Sequence, residues 1–108
     1  MIRFLILVCG ALIILSGCAN HYYKVNNNYV YIYLNEPDAD KVYFLSSLDQ
    51  FERHEAIKNN KGVWEVTLPS GMEFRYFFIV DGNVYLPTCE HKEKDDFGSE
   101  NCIFVPET

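Results

Sequence analysis

Alternation of side chains along the sequence predicts strands over most of its length. At residues 29–34, Val30, Ile32 and Leu34 share one face, and Tyr29, Tyr31 and Tyr33 share the other. That period of two marks a strand with one buried face. It returns at residues 63–68, where Trp64, Val66 and Leu68 face one way, which predicts Trp64 in the core. It returns again at residues 74–80, with Phe74, Tyr76, Phe78 and Val80 set against Arg75, Phe77 and Ile79. Residues 41–45, 84–86 and 101–105 read as shorter strands, and 51–57 as either a brief strand or a helical turn. Asn35-Glu36-Pro37-Asp38, Asn59-Asn60-Lys61-Gly62 and Pro69-Ser70-Gly71 are turn clusters. Val80-Asp81-Gly82-Asn83 predicts a two-residue hairpin, because a type I′ turn needs positive φ at both central positions. Residues 87–99 read as a charged loop. No helical stretch of ordinary length appears. The pattern predicts an all-β fold, an immunoglobulin-like antiparallel β-sandwich of about seven short strands.

The N-terminus breaks the alternation. Arg3 precedes an uncharged apolar run at residues 4–15, shorter than the ~20 apolar residues a membrane-spanning helix needs. The run ends in Leu15-Ser16-Gly17-Cys18, which resembles the lipobox of bacterial lipoprotein signal peptides at every position. The resemblance implies diacylglycerol on the Cys18 thiol, cleavage ahead of it, and acylation of the new N-terminus. The lipid bilayer is then a partner through Cys18. Ala19 rather than Asp follows the cysteine, which is similar to lipoproteins sorted to the outer membrane of the bacterial envelope. The expected organisation is a signal peptide at 1–17, a lipidated tether at 18–28 ending in Asn26-Asn27-Asn28, and a folded domain at 29–108.

Composition narrows the function. The sequence has 108 residues, enough for one domain, and a formal net charge of -6. Cleavage would remove Arg3 and no acidic residue, leaving the mature chain one charge more acidic. A duplex nucleic-acid binder needs Lys and Arg to meet phosphates, so nucleic acid is not an expected partner. Hydrophobic residues make up 49% and aromatics 16%, too much for a disordered chain. Cys9 leaves with the signal and Cys18 takes the lipid, so Cys89 and Cys102 remain as a pair without zinc-ligand spacing. They are either a disulfide, which an exported protein favours, or two free thiols in a poorly oxidising compartment.

Three segments then occur in a familiar order: residues 62–69 from Gly62-Val63-Trp64, residues 76–82 ending in Asp81-Gly82, and residues 95–101 from Asp95-Asp96-Phe97-Gly98 to Asn101. Together they resemble the glycogen-binding domain of the AMP-activated protein kinase beta subunit and the early-set carbohydrate-binding module that precedes isoamylase and branching-enzyme barrels. The resemblance implies an immunoglobulin-like sandwich and an α-glucan ligand stacked on flat rings. By the same resemblance, Phe51 replaces the family's first platform Trp, Phe77 replaces a Lys, Val84 replaces a second Trp with Tyr85 beside it, and Asn101 is retained. A Phe keeps a ring but lacks the indole's area and N–H donor, and Phe77 removes a cationic head. The candidate carbohydrate site is therefore Phe51, Phe77, Tyr85 and Asn101, reduced from the family pattern.

Other chemistry is sparse. His21, His54 and His91 are scattered singly and read as surface residues. The acidic residues of 90–100 lack the alternation of a calcium-binding loop, so neither a metal nor another cofactor is expected. No nucleophile or phosphate-loop motif occurs, and the expectation is a protein without catalytic activity. Two classes follow: a membrane-tethered module for an α-glucan or another glycan, or a structural lipoprotein that docks an envelope protein.

Overall fold

A computed structural model describes residues 20–106; the signal peptide expected at 1–17 and the expected lipid attachment at Cys18 lie outside the described residues. The alternating segments build two antiparallel sheets that face each other. The first contains β1 (His21–Asn26), β2 (Tyr29–Leu34), β5 (Ile57–Lys58) and β6 (Trp64–Pro69), in the order β1-β2-β6-β5. The second contains β3 (Val42–Ser46), β4 (His54–Glu55), β7 (Phe74–Val80), β9 (Lys92–Lys94) and β10 (Glu100–Phe104), in the order β4-β3-β7-β10-β9. A short β8 (Asn83–Tyr85) pairs with the C-terminal half of β7. Among the described residues there is no α-helix, only a single 3-10 turn at Ser47–Asp49. The architecture is the all-β, immunoglobulin-like sandwich that the alternation predicts, built from ten strands instead of seven.

Register decides which residues face inward. Leu34 pairs with Trp64, Ile32 with Val66 and Val30 with Leu68, so one set of apolar side chains lines the inner face of the first sheet. Phe44 pairs with Phe78, and Phe104 with Phe74, on the inner face of the second. Phe44, Phe74 and Phe78 are fully buried, Phe44 meets each of the other two edge to face, and Phe74 stacks on Phe104. Trp64 is buried as its alternation predicts, and its indole N–H donates to the Glu36 carbonyl at 2.8 Å. The chain crosses between sheets at Ala56, a buried residue whose N–H donates to the Val42 carbonyl at 2.8 Å.

The Asp81-Gly82 hairpin forms with φ 48 and 85 at its two centres, the left-handed region that Asp tolerates and Gly favours. The Asp81 carboxylate also accepts the N–H groups of Asp40 and Lys41, each at 2.9 Å, and so fixes the loop that enters β3. Cys89 and Cys102 are joined by a disulfide that ties the start of the charged loop to β10.

The N-terminal segment requires a correction. Six of the residues read as tether form β1, paired along its whole length with β2 from His21↔Leu34 to Asn26↔Tyr29. The Asn-rich end of that segment is the connecting turn, with Asn27 at φ 60. The charged loop is likewise not wholly irregular, since β9 pairs with β10 through Lys92↔Cys102 and Glu100↔Lys94.

Candidate functional site

Outward residues of β7 form the floor of the site. Because Tyr76 and Phe78 point into the core, Arg75, Phe77 and Ile79 point to the outer face of the second sheet, opposite Leu45 and Tyr43 of β3. Arg75 is held by Glu93 on β9 and by Glu73. Phe77, one alternation further on, has no such charged partner.

Phe51 arrives from the 3-10 turn. Ser46 caps that turn through the Leu48 N–H at 3.3 Å, and Ser47 accepts the Arg75 N–H at 2.9 Å, which pins the turn to β7. Gln50 and Phe51 then both adopt left-handed backbone, φ 63 and 62, while the Phe51 N–H donates to the Ser46 carbonyl at 2.8 Å. Two successive left-handed residues reverse the chain and bring the Phe51 ring over Phe77. The ring centroids lie 5.9 Å apart with 26° between planes, and Phe51 stays 37% exposed.

These rings open onto a shallow cleft of about 340 Å³ walled by Val84, Asp95, Ser99 and Glu100. The acidic wall is a tight turn. Asp95 accepts the N–H groups of Phe97 and Ser99, each at 2.9 Å, and Gly98 takes φ 86. At the tip of that turn Phe97 is 94% exposed. The arrangement offers ring faces to an apolar ligand surface, and the Glu100 carboxylate and Ser99 hydroxyl to hydroxyl donors.

Of the four residues singled out for sugar, Phe51 and Phe77 stack, Asn101 lies beside Phe77 on the same face but buried, and Tyr85 does not join them. Tyr85 is corrected to an inward position. It pairs with Phe78, packs against the core, and its hydroxyl accepts from the Asn20 side-chain amide at 2.7 Å. Val84, opposite Ile79, takes the outward place and is 74% exposed. The two-residue turn could have shown this, since pairing Val80 with Asn83 forces Tyr85 onto the Phe78 side. Asn101 is corrected from exposed to buried, at 8% exposure. It lies on the outer side of β10, where one further step of the Cys102↔Tyr76 register sets it opposite Phe77. An interior strand leaves its outward side chain hemmed in by both neighbours, here β7 and β9.

Sequence reasoning missed two other features. His21 is not a surface histidine: it is half-buried beside Tyr76, its charged form disfavoured by burial while a hydrogen bond to the Thr88 backbone works the other way. His54 is exposed but pairs with Asp49, and that hydrogen bond holds the Asp49 carboxyl below its usual range. With Glu52, these residues bring three metal-ligating atoms within 4.8 Å of one another, a donor set suited to a divalent cation beside Phe51. A larger opening of about 640 Å³ lies between the sheets where β4 and β5 leave the edge uncovered. Its floor is Phe44, Val66 and Leu68, and its rim includes Asp49, His54 and Met72.

Fold and site together define a small all-β sandwich with an aromatic cleft on one outer face. Compared with protein-family models and with curated proteins, the chain matches none. No helix of the described residues is long and apolar enough to cross a membrane.

Proposed function

We propose that this protein is a non-catalytic lipoprotein, anchored through Cys18 in the bacterial outer membrane, whose sandwich carries a reduced binding site for an α-glucan. The observation that carries the glycan reading is the stacked pair of Phe51 and Phe77, with the Phe51 ring partly exposed, on a shallow open cleft whose wall includes Asp95, Ser99 and Glu100. Pyranose rings present flat C–H faces that suit such rings, and their hydroxyls suit the polar wall. A Lys and a Trp of the family pattern are missing, and Tyr85 does not replace the Trp. Affinity should therefore be weak, about millimolar or ~4 kcal/mol.

Titration with maltoheptaose followed by NMR tests the reading. Saturable shifts at Phe51, Phe77 and the 95–100 turn, lost in Phe51→Ala and Phe77→Ala, are expected. No shifts at high sugar concentration would remove α-glucan as the ligand. For the anchor, Cys18→Ser should leave unprocessed precursor and abolish lipid labelling; normal labelling of that variant overturns it.

A second reading, a docking platform for an envelope protein, draws on the exposed Val84 in the cleft wall and on Phe97 at the tip of the acidic turn. Aliphatic groups mixed with aromatics suit a protein surface better than a sugar.

A further inference from the structure

The outer face of the first sheet is lined with tyrosines. Register sets Tyr22 beside Tyr33, Lys24 beside Tyr31 and Asn26 beside Tyr29, all on the side away from the core. Tyr22 and Tyr33 stack at 4.9 Å with 22° between planes, and the Lys24 ammonium lies 5.9 Å from the Tyr33 ring centroid. On the far side of β2, β6 contributes Glu65 and Thr67 to the same face. The face thus carries one cation and one carboxylate on an otherwise acidic protein. Tyrosine rings with polar tips and a lysine on a flexible stem are the side chains that settle at a bilayer interface.

The length of chain before β1 says what covers this face. Asn20 is fixed: its carbonyl accepts the Asn35 N–H at 2.7 Å and its amide donates to Tyr85 at 2.7 Å. Cys18 lies two residues earlier, within about 7 Å of chain even when fully extended. A lipid there leaves the domain no spacer and emerges at the end of the sandwich where Tyr22 and Tyr33 sit. That end also carries Glu36, Asp38, Asp40 and Asp81, in the loop before β3 and the hairpin bound to it, an acidic excess only partly offset by Lys41 and by Lys58, which donates to the Pro37 carbonyl. Standing end-on would press these four carboxylates into anionic headgroups, an arrangement the negative surface potential opposes. The second sheet is no better: Arg75 offsets Glu93 on its outer side, but among the described residues Asp95 and Glu100 at its cleft form no ion pair. Tipping onto the tyrosines avoids both.

We infer that the tyrosine face of the first sheet lies flat on the bilayer, so that the Phe51–Phe77 cleft on the opposite sheet points away from it. The inference rests on the anchoring of Cys18 proposed above. Along β2 the contact runs from Tyr33 near the lipid to Tyr29, about 13 Å away at strand rise.

The test uses the full-length lipidated protein carrying 3-fluorotyrosine, reconstituted in vesicles of phosphatidylethanolamine and phosphatidylglycerol with a headgroup spin-labelled lipid. Fluorine signals are assigned by single Tyr→Phe changes, and the lipid on Cys18 is read first by mass spectrometry. Signals of Tyr22, Tyr29, Tyr31 and Tyr33 should broaden away, while Tyr43, on the outer side of the second sheet, and buried Tyr76 persist. A chain without lipid overturns both readings. A lipid-bearing chain in which Tyr43 broadens as much as Tyr33, or in which no tyrosine broadens, overturns the orientation and leaves the anchor standing. So does a chain whose outer-face tyrosines ignore the labelled lipid but shift with added maltoheptaose, which would make that face the sugar site.

Discussion

The hydroxyl of Tyr76 on β7 lies 2.9 Å from Nε2 of His21 on β1 and links the two sheets across their interior. Burial pushes the Tyr76 phenol up, so it keeps its proton and donates. Burial pushes His21 below its ordinary 6.5, so the folded ring stays neutral and accepts.

A pH dependence follows from that pair. Below about pH 6.5 the unfolded chain takes up a proton on His21 that the folded one resists, so stability falls as pH falls through this range. Above that value the contribution is fully present. Thermal melts between pH 7.5 and 5 should show this slope, and His21→Gln, which has no titrating group, should flatten it. Identical slopes for the two proteins would remove His21 as the cause.

Trp64 is expected to be the costliest single truncation on β6. Replacement by Ala removes a buried indole and leaves the Glu36 carbonyl without its donor, and should destabilise by about 3–5 kcal/mol in urea unfolding. Trp64→Phe, which keeps most of the volume, should cost less. A change within error for the alanine variant would mean that the ring contributes nothing to the core.

The bridge between Cys89 and Cys102 spans 13 residues of sequence. Replacing both cysteines by Ala should cost about 3 kcal/mol, the loop-closure value for a span of this size. Unfolding with and without reductant measures it. Quantitative alkylation of both thiols in the untreated protein would show that the bond does not form.

Much of this was legible in the alternation, and the exceptions have physical causes. β2, β6 and most of β7 set an apolar inward row against a more exposed outward one, and their facing was readable from the alternation, although the outward Ile79 is itself buried by its neighbours. β1 was not, because its inward residues His21, Tyr23 and Val25 alternate with Tyr22, Lys24 and Asn26, giving almost no contrast in polarity. It forms because β2 offers a complete ladder of backbone partners. β9 is Lys-Glu-Lys, without an apolar residue, and is held by the β10 ladder and the Arg75–Glu93 pair. Charged side chains are what an edge strand tolerates. At the site, the outward aim of Phe77 followed from its neighbours. Phe51 was legible only through family resemblance, since its approach to Phe77 depends on two consecutive left-handed residues that no local pattern announces.

The disulfide also sets an order of events. Residues 90–101 lie between its two cysteines, and Asp95, Ser99 and Glu100, the polar side of the aromatic cleft, are among them. In a reducing compartment that stretch is moored only by non-covalent contacts, the β9–β10 ladder and the Arg75–Glu93 pair among them. Only where thiols oxidise does the covalent clasp close. The shape of the polar side of the cleft is thereby coupled to the redox state of the surroundings, through a bond that lies outside the cleft itself.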